Sequence, residues 1–444
     1  MLTYCRKQLK SGRFFLLLLA LFPLFLAGNR PFPMYLFGTL VSLHGLFLLP
    51  NMIESRFLLQ HKTFRIGILI AASLLGYLLL SAIFIAPALI FPLTKWFFYL
   101  SCFLVFVQAL YLAQQKAFPY RFLRMFALMG VIYSIYGIVT LHLGDKVLFY
   151  EKTSYQDELT SVFINRNHFA LYASLSLTAL IYLIGITAFH YRLFQEKSFS
   201  RTLKILFSEK SSELWLYITG AFIILAAILM TGSRGVILQL SVALSVMAVI
   251  ACVTYRKDII KGKVILFLSL FVFLAGSGYM AFHHNVSSRL HYIDESFDER
   301  VAVWQTTVKM IEDKPLFGYG VDMFEQNFNH YRDYTVPLRK RWNKAHNDYL
   351  EVIAKFGIVY FLAFIGFIAW MLKHIIQRTT YGHRFFAVHL TCCAMMINFG
   401  IHEIYDFGGQ MPAILFLIVT LIAICFSRAL IPSLKETSTS HGLP

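Results

Sequence analysis

Two blocks of apolar sequence are separated by HHNVSSRLHYIDESFDERVAVWQTTVKMIEDKPLFGYGVDMF at residues 283–324 and RDYTVPLRKRWNKAHNDYLEVIAKFG at residues 332–357. This stretch contains an arginine before an amphipathic pattern, a Pro-Leu-Phe-Gly-Tyr-Gly turn, and an Ala-His-Asn where apolar sequence resumes. Connections between helices are usually short, so a polar segment of this length is more often functional than a simple linker. We therefore expect a loop domain here, with the rest of the chain arranged to support it.

The composition indicates a polytopic membrane protein. The chain has 444 residues, of which 58% are hydrophobic and 14% charged, and its mean hydropathy is +0.64. These values lie outside the range of ordinary soluble domains. A formal net charge of +17 would suggest nucleic acid in a soluble protein. In a membrane protein, Lys and Arg collect in cytoplasmic loops beside anionic headgroups, so we expect membrane lipids and no nucleic acid as partners.

A count of about 20 apolar residues per crossing predicts the spans. Twelve such segments lie near 14–28, 32–50, 66–90, 93–113, 122–143, 167–189, 214–232, 235–255, 262–282, 350–372, 385–402 and 411–428. Lys and Arg are concentrated in alternate gaps, which predicts cytoplasmic N- and C-termini and an extracytoplasmic loop between spans 9 and 10. The expected fold is an all-α integral membrane protein of about 12 transmembrane helices with one large loop domain.

This topology divides the chain into five expected regions. They are transmembrane helices 1–5 at 1–160, helices 6–9 at 161–282, the extracytoplasmic loop at 283–349, helices 10–12 at 350–430, and a cytoplasmic tail at 431–444.

No metal site is expected. The six cysteines lie in the N-terminal tail or in apolar segments, which does not favour a disulfide or a Cys-based metal site. A histidine- and acid-rich stretch does occur at His283, His284, His291, Asp294 and Glu295. Its spacing is irregular and no Asp-x-Asp occurs in the predicted outer loop, so metal binding is the weaker interpretation.

The predicted orientation restricts the chemistry. Nucleotide sugars and ATP are cytoplasmic, and neither a P-loop nor a dinucleotide-binding pattern occurs in the chain. An enzyme that works at the outer face therefore needs a donor already activated on a lipid carrier. A diphosphate leaving group there requires fixed positive charge, and the planar arginine side chain binds phosphate oxygens in pairs.

Arg234 is the first candidate for such a charge. It lies in Thr231-Gly-Ser-Arg-Gly235, in a short turn between two predicted spans. An arginine in this position often only extends toward the headgroups. Here Gly232 and Gly235 allow close approach of the backbone, and Ser233 can cap a helix whose N-terminus favours an anion. We therefore favour a functional role for Arg234.

Arg300 is the second candidate. Apolar residues recur at helical spacing at Val301, Trp304, Val308 and Ile311. This pattern predicts an amphipathic helix that begins near Arg300, lies on the membrane surface or on the bundle, and ends at Lys314-Pro315. No acidic residue lies one turn ahead, which disfavours a salt bridge within the helix. We expect Arg300 to bind phosphate from the first turn.

His346 is the candidate proton acceptor. It lies in Lys344-Ala-His-Asn-Asp-Tyr-Leu-Glu351, where the tenth span begins. A histidine can accept a proton from a hydroxyl near neutral pH, and Asp348 or Glu351 can orient its ring. Taken alone, an interfacial histidine bonded to backbone is the more ordinary interpretation.

Two further polar groups lie at outer span ends. Asn165-Arg-Asn-His168 opens the sixth span, and His402-Glu-Ile-Tyr-Asp406 closes the eleventh. Ionisable groups at membrane depth are costly, which makes them candidates for function. The candidate ligands for diphosphate or glycan are Arg166, Asn167, His402 and Asp406. A structural cap or an ion pair is an equally good interpretation of either group.

The motifs, in order along the chain, resemble the O-antigen ligase/polymerase superfamily. They are Ser233-Arg-Gly235, Glu299-Arg-x-x-x-Trp304, Lys314-Pro-Leu-Phe-Gly-Tyr-Gly320 and Ala345-His-Asn-Asp-Tyr-Leu350. The resemblance covers residues 160–425, and the earlier spans agree only in hydropathy. Two motifs of the ligases fit directly: Arg234 with Leu238 gives R-x3-L, and His346 with Gly357 gives H-x10-G.

This resemblance implies a GT-C-like glycosyltransferase of the bacterial inner membrane with its large loop in the periplasm. It implies an inverting transfer of a glycan from undecaprenyl diphosphate to an acceptor hydroxyl, without a metal or cofactor. By analogy, Arg234 and Arg300 would hold the diphosphate and His346 would activate the acceptor.

The acceptor stays open at this point. Lipid A-core would make the protein a ligase, a growing polysaccharide a polymerase, and a protein serine an O-oligosaccharyltransferase. The segments 163–170 and 402–413 are similar to a branch of the superfamily linked to exopolysaccharide assembly.

A transporter of lipid-linked glycans is the alternative from another class. Such a carrier is expected to show related halves and charge within its spans. No similarity between the halves is evident here, and the spans are nearly free of charge.

Overall fold

The computed structural model describes residues 2–430 except 56–61, 87–89, 145, 148–149, 153–154, 156, 192, 194–198, 209–210, 255–285, 338–339 and 379–385. Within these residues the chain is almost entirely helical. The exception is one hairpin that pairs β1 (Lys146–Val147) antiparallel with β2 (Tyr150–Glu151).

The α-helices are α1 (Leu2–Leu21), α2 (Pro31–Glu54), α3 (Lys62–Phe84), α4 (Ile90–Leu112), α5 (Phe118–Leu143), α6 (Arg166–His190), α7 (Phe199–Leu206), α8 (Ser212–Met230), α9 (Arg234–Thr254), α10 (Val286–Asp313), α11 (Phe324–Tyr331), α12 (Asp348–Arg378), α13 (Phe386–Tyr405) and α14 (Pro412–Leu430). Short 3₁₀ turns follow α1 and precede α14.

The expectation of an all-α membrane protein is confirmed. Among the described residues, eight helices are long and apolar enough to cross a membrane: α2 to α6, α8, α12 and α13. Shorter apolar helices occur at Ser11–Leu24, Arg234–Ile250 and Pro412–Arg428. These helices coincide with every predicted span except the ninth, at 262–282, which lies outside the described residues. The number of crossings and the side on which the loop lies stay predictions.

Helix α6 is the most enclosed of these spans, with 72% of its apolar window buried. Small residues let its neighbours approach closely, as is usual between membrane helices. Ser174, for example, donates its hydroxyl to the carbonyl of Leu171 (2.8 Å) and accepts a bond from the amide of Asn398 on α13 (3.0 Å). The packing brings the polar N-terminus of α6 beside the C-terminus of α13.

The predicted loop domain is built on a second apolar core, which Ala86 after α3 and Ala354 of α12 complete. Its main members are Ala302, Val303, Met310, Tyr319, Met323, Phe324, Phe328, Val336, Trp342 and Ala345. Helices α10 and α11 pack together around this core. The turn at residues 314–323 connects them.

The prediction from the sequence was wrong about the residue at which α10 begins and about which of its faces is buried. The helix begins at Val286, so Arg300 lies in its middle and not in its first turn. The C-terminal boundary at Asp313 agrees with the predicted end before Lys314-Pro315. Val308, expected on the apolar stripe, is 39% exposed.

The buried face of α10 instead includes Thr306 and Thr307, whose hydroxyls donate to the carbonyls of Ala302 and Val303. A threonine whose hydroxyl is satisfied within its own helix can be buried at little cost. A pattern of apolar residues alone therefore missed this face.

Helix α12 is interrupted at Gly357, where the backbone has φ +78° and ψ 168°. The 314–320 turn docks on this interruption. The N–H groups of Tyr319 and Gly320 donate to the carbonyls of Ala354 (3.0 Å) and Lys355 (2.8 Å), and the N–H of Ile358 donates to the carbonyl of Pro315 (2.8 Å). The turn thus satisfies backbone groups that the break in the helix releases.

Candidate functional site

The site is organised around Asp406, the residue that follows α13. Its side chain is fully buried, yet both carboxylate oxygens have partners. Asn167 donates its side-chain amide to Oδ2 (2.8 Å) and the N–H of Phe407 donates to Oδ1 (3.0 Å). Nδ1 of His346 lies 3.2 Å from Oδ1, and Nε2 of His168 lies 3.8 Å from the same oxygen.

These neighbours keep the Asp406 carboxylate ionised. Burial alone would raise the pKa of Asp406, but the imidazoles of His168 and His346 hold that pKa well below its usual range. A carboxylate that accepts several hydrogen bonds is stabilised in its charged form. The site therefore contains a fixed carboxylate charge next to Nδ1 of His346.

His346 is held in an uncommon backbone conformation, with φ +51°. A residue with a side chain pays about 1–2 kcal/mol for this left-handed region. Neighbouring contacts maintain it: the indole N–H of Trp304 donates to the carbonyl of His346 (3.3 Å), and the N–H of Ala345 donates to Glu351 (2.8 Å). Such strain is characteristic of functional positions.

The ring of His346 lies edge-to-face with Trp342 and Phe407, at centroid distances of 5.7 and 4.8 Å. Its side chain is 22% exposed. With Nδ1 engaged by Asp406, Nε2 is the ring nitrogen left for an incoming hydroxyl. From the sequence we expected Asp348 or Glu351 to orient this ring. That expectation was wrong, because the carboxylate that contacts Nδ1 of His346 belongs to Asp406.

Arg300 contacts the same corner of the bundle. Its Nη1 donates to the carbonyl of Tyr405 (2.8 Å), the last residue of α13. No carboxylate whose side chain the structure describes lies within salt-bridge distance of Arg300, and its neighbour Glu299 pairs with Lys340. A guanidinium has five N–H donors, so one bond to a carbonyl leaves others that can bind an anion.

Arg234 is the first residue of α9, and its side chain is exposed. The turn before it depends on Gly232, which has φ +64°, and a Cβ on Gly235 would lie 2.6 Å from the ring of Tyr405. Tyr405 thus packs against the start of α9 while its carbonyl accepts from Arg300. Arg234 and Arg300 lie on segments that share this tyrosine.

Arg166 also begins a helix, α6, and it lies beside the turn that carries Arg234. It pairs with Glu158 and lies over the ring of Tyr155, 5.6 Å from the centroid. A Cβ on Gly232 would be 3.4 Å from its Nη1. Two helix N-termini therefore lie close together, and the N–H groups at each carry partial positive charge that favours an anion.

The remaining candidates are structural neighbours of this corner. Asn165 caps α6 by accepting from the N–H of Asn167 (2.8 Å), and Asn167 in turn supports Asp406. His402 is fully buried and its Nδ1 lies 3.3 Å from the side-chain oxygen of Gln239. Tyr405 donates its hydroxyl to the same oxygen. Gln239 had no distinguishing signal in the sequence.

His168, His402 and Asp406 form a group that can be considered for a metal ion, since their ligand atoms lie within 4.8 Å of one another. Both oxygens of Asp406 already accept hydrogen bonds. Nε2 of His168, 3.8 Å from Oδ1 of Asp406, and Nε2 of His402 have no hydrogen-bond partner among the described residues. We interpret the group as packing that supports the ring of His346. The histidine-rich stretch that the sequence offered as the weaker metal candidate begins with His283 and His284, which lie outside the described residues.

A buried ionic network next to the site was not expected from the sequence. Glu351 pairs with Lys355 one turn further along α12 and lies 3.6 Å from the Nζ of Lys344. Gln410 accepts from Lys344 and donates to Asp348 (2.6 Å). The i, i+4 spacing of Glu351 and Lys355 was the available signal. The network ties the residues around His346 to the turn before α14.

One part of the chain matches the model of a known protein family. Residues 219–365 match the family model Wzy_C, described as O-antigen ligase. The matched region runs from α8 to the first part of α12 and includes Arg234, Arg300 and His346. No curated protein matches the chain. The family match confirms the resemblance to the O-antigen ligase/polymerase superfamily, and it indicates a membrane enzyme that processes glycans.

Proposed function

We propose that this protein is a glycosyltransferase that moves a glycan from undecaprenyl diphosphate to an acceptor hydroxyl at the outer face of a bacterial inner membrane. The observation that carries the proposal is the Tyr405–Asp406 corner. It contacts His346 and Arg300 directly and packs against the helix start that bears Arg234. The proposed general base and the segments that carry the two proposed cations thus meet at one corner of the bundle.

The diphosphate of the donor binds on the cationic side. Arg234 and Arg300 present planar guanidinium groups that engage phosphate oxygens in pairs. The N-termini of α6 and α9 add partial positive charge. When the bond from the anomeric carbon to the diphosphate breaks, negative charge increases on the leaving group, and these fixed cations stabilise it. The reaction then needs no metal ion.

The acceptor binds on the side of His346. Its hydroxyl oxygen attacks the anomeric carbon from the face opposite the diphosphate, so the configuration inverts. Nε2 of His346 takes the hydroxyl proton, and undecaprenyl diphosphate leaves with the bonding electron pair. Asp406 holds the ring by Nδ1 and stabilises the imidazolium. The proton afterwards passes to water.

Neighbouring members of the corner act as positioning residues. The half-buried Asn167 holds Asp406 by a hydrogen bond, and the buried His402 packs beside it against Gln239. Arg166 lies close enough to the donor side to assist the diphosphate. The loop domain at 283–349 is extracytoplasmic in this proposal, and the tail at 431–444 is cytoplasmic. The positive-inside distribution of Lys and Arg supports this orientation.

Variants of the three central residues test the mechanism. Arg234→Ala, Arg300→Ala and His346→Ala should each reduce glycan transfer at least 100-fold while membrane insertion is unchanged. Arg341→Ala is a matched control, because the side chain of Arg341 is 81% exposed and pairs with Glu325. Normal transfer in all three variants would refute the mechanism.

Lipid A-core is the acceptor we favour, which makes the protein a ligase. A polymerase is the second candidate, because the two segments that resemble the exopolysaccharide branch meet through the Asn167–Asp406 hydrogen bond. A deletion strain distinguishes them. Full-length polymer retained on the lipid carrier, with bare lipid A-core, supports the ligase. Accumulated single repeat units support the polymerase, and unchanged glycans would contradict both.

A further inference from the structure

The turn at residues 315–318 carries two large apolar side chains that the protein leaves uncovered. Leu316 is 55% exposed and Phe317 is 54% exposed. Adjacent exposed apolar residues in a polar loop usually mark an interaction surface. The position of this turn relative to the spans identifies what covers it.

Two spans independently fix the depth of the turn. The first is α12, on which the turn docks at Gly357. Residues 356–372 of α12 contain no charged side chain, and at 1.5 Å per residue they span about 25 Å. This is close to the ~30 Å of a bilayer's hydrocarbon core. The docking point at Gly357 therefore lies where the apolar part of the span begins.

The second span is α3. The hydroxyl of Tyr77 donates to the carbonyl of Phe356 (2.6 Å), directly before the interruption of α12. Tyr77 lies about two helical turns inside α3, which ends at Phe84. Gly320, at the end of the turn, packs against Ile85 and Ala86 just past the end of α3. The turn therefore begins at the depth of the apolar part of α3 and ends level with the last residues of that helix.

The docking also provides the hydrogen bonds that non-helical backbone needs inside a membrane. Backbone that is not helical is tolerated at membrane depth only where protein groups satisfy it. The interruption at Gly357 releases the carbonyls of three successive residues and the N–H of Ile358. The turn and Tyr77 provide a partner for each of these groups: Ala354, Lys355 and Phe356 as acceptors, and Ile358 as donor.

We propose that the Pro315–Gly318 turn is a membrane anchor, with Leu316 and Phe317 inserted among the acyl chains of the lipids on the side of the bilayer that His346 faces. Lys314 flanks it, with its Nζ 4.6 Å from the ring centroid of Tyr319, and a lysine stem at a membrane rim extends its charge toward the headgroups. The anchor directly follows α10, so it ties the helix that carries Arg300 to the membrane surface.

Spin-label accessibility tests this anchor without reference to catalysis. Phe317→Cys is labelled in a variant whose native cysteines are replaced by alanine, and the protein is reconstituted into vesicles of phosphatidylethanolamine and phosphatidylglycerol. Collision rates are measured with oxygen, which concentrates in lipid, and with a water-soluble nickel chelate. Val359→Cys, at a position 47% exposed on α12 past the interruption, is the lipid control. Tyr334→Cys, at a position 93% exposed, is the aqueous control.

The label at Phe317→Cys should resemble that at Val359→Cys, with a ratio of oxygen to nickel collisions several-fold above that of Tyr334→Cys. A ratio equal to the aqueous control overturns the proposal. A lipid-like ratio that appears only after a polyprenyl diphosphate is added also overturns it, because the surface would then belong to the donor tail.

A second measurement serves if the cysteine-free protein does not fold. In the otherwise native chain, a membrane-impermeant maleimide should modify Phe317→Cys at least ten-fold more slowly than Tyr334→Cys. The native thiols of Cys102, Cys392 and Cys425 are buried and that of Cys393 is half-buried, so the native chain labelled in parallel gives the background that is subtracted. Equal rates at the two introduced cysteines would overturn the anchor.

Discussion

Nδ1 of His346 lies 3.2 Å from Oδ1 of Asp406, although the two residues are 60 positions apart in the chain. The contact joins the start of α12 to the end of α13. Asp406 is enclosed and hydrogen-bonded on both oxygens, so it is a fixed carboxylate and not a mobile ligand. Because Asp406 engages Nδ1, Nε2 is the nitrogen of His346 that is available to a substrate.

Asp406→Asn should reduce kcat by about 100-fold or more, which is the usual contribution of an oriented general base. The substitution preserves size and one acceptor oxygen but removes the charge that stabilises the imidazolium. KM for the lipid-linked donor should change little, because Asp406 is buried away from it. Transfer assays with purified protein measure both constants. Asp333→Asn is the control, since Asp333 lies in the loop and its side chain bonds only Thr335 and Lys309 among the described residues. A change confined to KM would contradict the assignment.

Arg300→Lys should lower kcat/KM for the donor about 10- to 100-fold while the charge is retained. A lysine provides a point charge in place of the fork that can bind phosphate and the Tyr405 carbonyl together. Arg341→Lys makes the same exchange on the surface and should leave the constant unchanged. Steady-state kinetics at varied donor concentration measure the effect. Equal kinetics for the two variants would show that Arg300 does not bind the donor.

Hydropathy predicted the membrane helices because the bilayer requires about 20 apolar residues with all backbone groups satisfied within the segment. The start of α10 escaped this reasoning, although Val286, Leu290, Ile293 and Phe297 recur at helical spacing among the polar residues 286–299. The motif H-x10-G could be recognised in the sequence, but the structural reason for its glycine could not. Gly357 is required by the docking of a distant turn, and periodicity carries no information on such a contact.

The candidate site was predicted as a set of residue types at span ends, and the structure shows which of them meet. Asp406 was named as a ligand for diphosphate or glycan, and this stays a prediction; the structure adds that its carboxylate contacts His346. Closeness in the sequence favoured Asp348 and Glu351 for that role, since they follow His346 by two and five residues. Both belong instead to the ionic network with Gln410, and only the packing of α12 against the turn before α14 determines this choice.

Glu351→Gln should destabilise the folded protein by about 3–5 kcal/mol, the usual cost of leaving a buried charge without its partner. Lys355 is 6% exposed and loses its ion pair, and Lys344 loses its nearest carboxylate. Thermal unfolding in detergent measures the effect, with Glu312→Gln as the exposed control. An equal melting temperature for both variants would show that the network contributes no stability.

The pH dependence of this network has a definite sign. Burial lowers the pKa of Lys344 from its ordinary value. The unfolded chain therefore binds more protons at this position, and the contribution of Lys344 to stability rises with pH up to its unfolded pKa. The deficit of Glu351→Gln should accordingly shrink as the pH is raised from 7 to 9. A deficit that grows over this range would show that Lys344 is not the group left unpaired.

Gly357→Ala should destabilise the protein by at least about 2 kcal/mol. The left-handed conformation at φ +78° costs a side chain about 1–2 kcal/mol by itself, and the new Cβ would overlap the carbonyl of Leu316. Gly366 offers a matched control on the same helix, because a Cβ there meets nothing within 4 Å. Gly366→Ala should be neutral or stabilising by up to about 1 kcal/mol, since alanine loses less backbone entropy in a helix. Thermal unfolding of both variants in one detergent compares them directly. If Gly357→Ala were as stable as Gly366→Ala, the 314–320 turn could not be docked on the interruption of α12.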